Sequence, residues 1–209
     1  MKLQILALTV ALFSIASTHA ASVPLFDGKS LDGWNGDTAK TWRVEDGCIT
    51  GGSLAERVPH NEFLAAKKTY KNFDLTLKFK LTGTEGFVNS GVQFRSIRIE
   101  KPANEMSGYQ ADLGDPTYWG SLYDESRRRK TLAPSDMAAV NKVLRRNDWN
   151  DYRIRCEGKR IQIWLNGVQT VDYTEAEKDI AEDGLIALQI HGGAKAVVSF
   201  KDIAIEELP

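Results

Sequence analysis

Histidine is scarce in this chain, with three in 209 residues. His19 falls in an N-terminal stretch with the pattern of a processed leader, which leaves His60 and His191 and excludes a metal cage built from histidines alone. Cysteine is scarcer still: Cys48 and Cys156 are the pair, each inside a strand-like run, and two buried free thiols are favoured over a disulfide. No Cys stands near residue 20, so a lipoprotein anchor has no attachment point. Charge of one sign is missing too. Lys and Arg number 27 against 28 Asp and Glu, for a net charge of −1, and so even a balance offers no field for DNA, RNA or an anionic membrane surface. The one apolar run, at the N-terminus, is short for a bilayer span, and nothing later resembles one, so no membrane anchor is expected.

What is there begins with an export signature. Lys2 supplies a basic start, residues 3–15 are apolar apart from Gln4, Thr9 and Ser14, and small residues lead to Thr18-His19-Ala20. This pattern predicts a signal peptide over residues 1–20, a single domain over residues 21–209, and a periplasmic or extracellular protein.

Beyond residue 40 the dominant period is two. Residues 73–81 place every odd side chain, Phe73 to Leu81, on an apolar face. Residues 88–99 send Val92, Phe94 and Ile97 one way and Gln93 and Arg95 the other. Residues 152–156 and 161–165 make a pair joined by a turn at Gly158-Lys159, and residues 185–191 and 197–205 repeat the style. Such alternation means half-buried antiparallel strands. Asp27-Gly28, Asp32-Gly33, Asp46-Gly47, Asn166-Gly167 and Asp183-Gly184 punctuate them as tight turns rather than calcium ligands, since no EF-hand spacing occurs. One helix is expected over residues 135–146, capped by Ser135, with Met137, Val140, Val143 and Leu144 on its buried face. The economical fold is an all-β sandwich with insertions near residues 96–106 and 115–148.

Alternation also assigns the other face. Opposite the apolar positions stand Gln93 and Arg95, Gln110 and Asp112, Gln162 and Trp164, and Gln189 and His191. Glutamine, aspartate, arginine and tryptophan together suit a sugar, whose hydroxyls need paired hydrogen bonds and whose C–H face needs an aromatic plane. The alternative is a face covered by the long loops, where these residues satisfy one another. His191 precedes Gly192-Gly193 and would serve as a base if a carboxylate oriented it. A divalent ion held by His and carboxylates stays open, without a spacing signature. The run Arg127-Arg128-Arg129-Lys130, flanked by Asp124, Glu125 and Asp136, reads as an ion-paired loop. Tyr118, Trp119 and Tyr123 before it suit a lid over a sugar site.

Several segments together resemble one family. They are Leu25-Phe26-Asp27-Gly28-Lys29-Ser30-Leu31-Asp32-Gly33-Trp34, Trp42-Arg43-Val44-Glu45-Asp46-Gly47 and Asn89-Ser90-Gly91-Val92-Gln93-Phe94-Arg95. Gly120-Ser121-Leu122-Tyr123, Trp149-Asn150-Asp151-Tyr152, Trp164-Leu165-Asn166-Gly167 and Gly184-Leu185-Ile186-Ala187-Leu188-Gln189-Ile190-His191 follow in order. This series resembles the 3-keto-disaccharide hydrolase domain family. The resemblance implies a concanavalin-like jelly roll of two antiparallel sheets, and cleavage of glycosidic bonds in sugars already oxidised at C3. One departure stands out: the family often carries a Glu and a Gln two apart where this chain has Gln110 and Asp112. The chemistry needs one base, one acid and a donor for an enolate. The expected roles are His191 or Asp112 as base, Arg95 at the enolate oxygen, and Tyr123 or a water as acid. Gln93, Tyr109, Gln110, Trp164 and Gln189 are the expected sugar-binding residues. A non-catalytic carbohydrate-binding module on the same fold is the rival reading.

Overall fold

The computed structural model describes residues 21–102 and 104–209; the expected leader over residues 1–20 lies outside them. The period-two segments fold as strands. In chain order the first are β1 (Val23–Pro24), β2 (Trp34–Asn35), β3 (Trp42–Glu45), β4 (Cys48–Ser53) and β5 (Glu62–Tyr70). β6 (Phe73–Glu85), β7 (Asn89–Arg98), β8 (Met106–Gly114), β9 (Leu122–Glu125) and β10 (Lys130–Ala133) follow. After the short helix α1 (Met137–Val140) come β11 (Asn150–Glu157), β12 (Arg160–Leu165), β13 (Val168–Thr174), β14 (Gly184–Ile190) and β15 (Lys195–Glu207).

They form two antiparallel sheets. One has the order β13-β12-β11-β6-β15-β4-β3, with β1 beside β15; the other runs β10-β9-β8-β7-β14-β5-β2. This is the jelly-roll sandwich that the alternation and the resemblance led one to expect. The apolar parity of β6 is kept in full, with Phe73, Leu75, Leu77, Phe79 and Leu81 all buried between the sheets. Each such side chain contributes about 1.5–3 kcal/mol by leaving water. Phe79 is fixed by two rings, stacked on Trp119 at 6.1 Å and edge-on to Tyr152 at 5.4 Å. Tight turns close the hairpins as their residues demand. Asp46-Gly47 between β3 and β4 has both φ positive, at 50° and 72°, the geometry that matches the strands' right-handed twist.

Three local expectations need correction. The helix is four residues long, not twelve, and Asp136 caps it by accepting from Ala138 N at 2.8 Å. Ser135 stands one residue too early for the cap, and its hydroxyl donates instead to the Trp119 carbonyl at 2.7 Å. Past Val140 the chain turns, tied by the Asn150 side chain to Arg145 N and O. Second, β7 does not alternate to its end: its register with β8 shifts between Phe94 and Ile97, and Ile97 is 61% exposed. Third, the "outer" partners on β7 and β8, Gln93, Arg95, Gln110 and Asp112, are themselves buried. Cys48 and Cys156 are free and buried, as expected. Desolvation pushes the Cys156 thiol up to about 12, which leaves it unreactive.

Candidate active site

Strand parity and register gather one group of polar residues. On β8, Tyr109, Ala111 and Leu113 enter the core, so Gln110 and Asp112 point out of the sandwich from the seven-stranded sheet. Register places Gly91 and Gln93 of β7 opposite Asp112 and Gln110, and Tyr123 of β9 opposite Gln110 on the other side. Gln189 of β14 faces Gly91. Gly91 is required there: a Cβ would come within 2.5 Å of the Gln110 amide carbon. A cavity of about 160 Å³ opens on this face. Asn89, Gln110, Asp112, Tyr123 and Glu125 line its floor and sides, with Phe87, Tyr118 and His191 completing it.

Asp112 is held from one side. Asn89 Nδ2 donates to its Oδ1 at 2.9 Å, Leu113 N at 3.1 Å and Gln110 Nε2 at 3.3 Å. Gln110 is held in turn by Gln93 Nε2 at 2.9 Å, and Gln93 by the Ser96 hydroxyl at 2.7 Å. All three bonds fall on Oδ1, so Oδ2 is left for a ligand. Burial raises the Asp112 carboxyl to about 7 against these donors, with the Glu125 charge adding to the rise. Glu125 is also pushed up to about 7, by desolvation first and the Glu105 charge second. Two carboxyls in one cavity therefore sit where either protonation state is accessible near neutral pH. Gln189 Nε2 donates to Glu125 Oε2 at 3.3 Å, while Gln189 Oε1 is buried without a partner. Turned end for end, the same amide would accept the proton of a neutral Glu125, so it suits both states.

His191 closes the rim. Its Nδ1 lies 2.7 Å from the Gly192 carbonyl, and its ring meets Phe87 edge-on at 4.9 Å. A carbonyl can only accept, so Nδ1 carries the proton and Nε2 of the neutral ring is the free base. The Tyr123 phenol is raised by burial, then by Glu125 and Asp112. Arg129 adds a positive charge felt by both Glu125 and Tyr123. Among the described residues no three His, Cys, Asp or Glu side chains group to hold a metal ion.

Of the expected site residues, His191, Asp112, Tyr123 and Gln110 share this cavity. Gln93 and Gln189 are fully buried behind it, where they orient Gln110 and Glu125 rather than meet a ligand. Arg95 does not belong. It sits in the β7 bulge with φ 46°, and its guanidinium donates to Lys71 O and Gly158 O at 2.7 Å each. A bulge re-aims a side chain, and here it turns the arginine onto the β5–β6 turn, which joins the two sheets, and onto the β11–β12 hairpin turn of the eight-stranded sheet. Tyr109 points into the core, stacks on Phe94 at 5.6 Å and donates to Glu175 at 2.6 Å. Trp164 lies on the outer face of the other sheet, under the Arg153 guanidinium at 4.5 Å, beside a cavity of about 550 Å³ whose carboxylates, Asp151 and Asp202, are exposed. The basic run is ion-paired as expected, Arg127 and Arg128 to Asp124 and Arg128 also to Glu175. Glu125, Asn89 and Arg129 were missed. For Glu125 the signal existed: it stands two residues after Tyr123 on a strand, hence on the same face.

Comparison with known proteins supplies the family and the fold. Residues 21–206 match the family described as the 3-keto-alpha-glucoside-1,2-lyase-like domain. A 3-keto-disaccharide hydrolase of Bacteroides thetaiotaomicron is 34% identical over a stretch covering 40% of this chain and 31% of that protein, so the match spans under a third of the relative's length. Among solved structures, a candidate glycosyl hydrolase of Parabacteroides distasonis superposes with a TM-score of 0.67 at 21% identity, over 90% of this chain and 94% of that one. A carbohydrate-binding module of Bacillus subtilis gives 0.59 at 17% identity, over 84% and 96%. Bacillus licheniformis β-glucanase gives 0.57 at 10%, over 93% and 100%. At such identities these structures speak for the jelly roll alone, a fold that hosts both cleavage and binding. The ordered motifs, the sandwich that carries them and the match over residues 21–206 make this chain a member of the 3-keto-alpha-glucoside-1,2-lyase-like domain family.

Proposed function

We propose that this protein is an exported enzyme that cleaves the glycosidic bond of sugars oxidised at C3, by β-elimination followed by hydration. The observation that carries the reading is the pair Asp112 and Glu125, both held near neutrality in one small cavity. A ketone at C3 acidifies the C2 proton, so a carboxylate of raised pKa is a competent base. Asp112 Oδ2 takes that proton, and the C–H electron pair moves into the enolate. The Tyr123 hydroxyl donates to the enolate oxygen, with Arg129 supplying positive field in the place expected for Arg95. The C1–O bond then breaks, and the leaving oxygen takes its proton from neutral Glu125. Water adds to C1 of the enone as Glu125 recovers the proton, and Asp112 returns its own to C2. The sum is hydrolysis, and both carboxyls end as they began. This route differs from that of ordinary glycosidases, whose two carboxyls act at C1.

The test is incubation of the purified protein with a 3-keto disaccharide and with its unoxidised parent, following released monosaccharide and exchange of C2 deuterium with solvent. Cleavage of the keto sugar alone, with exchange, is expected. Equal cleavage of both would overturn elimination, and binding of either without cleavage would make the chain a carbohydrate-binding module. Exchange lost in His191→Ala but kept in Asp112→Asn would move the base to His191.

A further inference from the structure

The cavity that holds Asp112 and Glu125 amounts to about 160 Å³, the liquid volume of about five waters. That is small for more than one sugar ring, so a substituent at C1 extends beyond it. A second cavity, of about 490 Å³, lies beside it, and Tyr118 lines both. The sheet makes the same connection independently. Thr131 of β10 is the cross-strand partner of Tyr123, so the two side chains stand together on one face, Tyr123 in the small cavity and Thr131 in the large one.

The walls of the second cavity have a definite chemistry. Thr117 and Thr131 bring exposed hydroxyls, those of Ser121 and Ser135 being tied to Thr117 O, Trp119 O and each other, and Met137 and the Tyr118 ring bring apolar surface. Tyr118 is steadied edge-on against Phe87 at 5.6 Å. No Lys or Arg lines it, and its one carboxylate, Asp136, is committed to the N-terminus of α1. Such a surface has nothing to neutralise an anion, while its mixture of hydroxyls and apolar patches matches a ring with hydroxyl edges and C–H faces. These residues come from the insertion between β8 and β11, whose Thr117, Thr131 and short helix have no other part in the chemistry.

We propose that this cavity is the leaving-group subsite, built by the insertion to hold a neutral, polyhydroxylated substituent on C1. The inference rests on the function proposed above and adds to it a preference: sugar-sized neutral leaving groups over small alkyl ones and over anionic ones. Thr131 and Thr117 are exposed, so Thr131→Trp and Thr117→Trp fill the cavity without entering the core. The readout is the ratio of kcat/KM for a 3-keto disaccharide to that for the methyl 3-keto glycoside with the same reacting ring. A tenfold or greater fall of this ratio in both variants is expected, with Thr131→Ser restoring it. An unchanged ratio, whatever the absolute rates, overturns the subsite. If the wild-type protein cleaves neither substrate, the catalytic reading fails on its own, and calorimetric titration with the parent disaccharide and the parent methyl glycoside decides the subsite. Preferential disaccharide binding that is lost in Thr131→Trp then supports it; equal binding of the two sugars, or none, overturns it.

Discussion

At the scale of single residues, the cavity sets reactivity against stability. A carboxyl kept near 7 by burial is a serviceable base at neutral pH because the protein gives it few ways to be comfortably charged. The linkage follows from the direction of the shift. Asp112 rises from its ordinary 3.8 to about 7 in the folded state, so the folded protein holds the proton more tightly than the unfolded chain. Its contribution to stability is greatest below pH 4 and is lost as pH rises toward 7. Asp112→Asn keeps an acceptor for Asn89, Gln110 and Leu113 and removes the buried charge. It should therefore unfold at higher temperature than the wild type at pH 8, by on the order of 2 kcal/mol, with the gap closing at pH 4 to 5. Turnover in the same variant should fall by roughly two to four orders of magnitude. Thermal unfolding at the two pH values and steady-state rates check both halves; a variant less stable than wild type at pH 8 would show that the charge is not the burden described. In the wild type, kcat/KM should follow a bell centred near pH 7, whose limbs belong to the Asp112–Glu125 pair jointly.

At the scale of elements, β7 shows how one irregularity divides catalysis from architecture. Up to Phe94 the strand alternates and delivers Asn89, Gly91 and Gln93 to the polar face. The bulge then turns Arg95 toward Lys71 and Asn72, which join β5 to β6, and toward Gly158 in the β11–β12 turn. One guanidinium thus clamps the turn that crosses between the sheets to a hairpin turn of the eight-stranded sheet. Arg95→Ala should destabilise the fold by roughly 2–4 kcal/mol, since charged donors leave carbonyls that have no ready partner. The folded fraction should keep kcat and KM within about twofold. Denaturant unfolding with rates measured on folded protein separates the two effects, and a large fall in kcat without loss of stability would return Arg95 to the chemistry.

At the scale of the whole molecule, the two sheets share one core but present unlike outer faces. The seven-stranded sheet carries the buried amide and carboxylate network. The eight-stranded sheet carries exposed ion pairs such as Arg160–Asp172 and the Arg153–Trp164 stack, which screening makes weak contributors. Among the described residues no helix is long and apolar enough to cross a membrane. Export remains the expectation from residues 1–20: the protein recovered from its host's periplasm or medium should begin at Ala21 or Ser22 by intact mass. A cytosolic product retaining Met1 would refute it.

The division between what was legible and what was not follows from the range of the forces involved. Alternation is local, so the sequence by itself determined the strands β6, β7, β8, β11, β12, β14 and β15, though not β5 or β13, which side chains of β6, β8, β12 and β14 enter the core, and that Gln110, Asp112 and Gln189 stand off it. The turns at Asp32-Gly33, Asp46-Gly47 and Asn166-Gly167 were equally legible, because these residues accept positive φ, whereas Asp183-Gly184 runs directly into β14. Parity cannot survive a bulge, and so Arg95 and Ile97 were placed on the wrong faces. Nor can parity say which of two outer faces a polar side chain occupies, and so Trp164 was joined to a site on the opposite sheet. Only the pairing of β8 with β9 brought Glu125 into the cavity with Asp112, and only burial beneath the loops raised both carboxyls. Those are consequences of long-range packing, which no local pattern records.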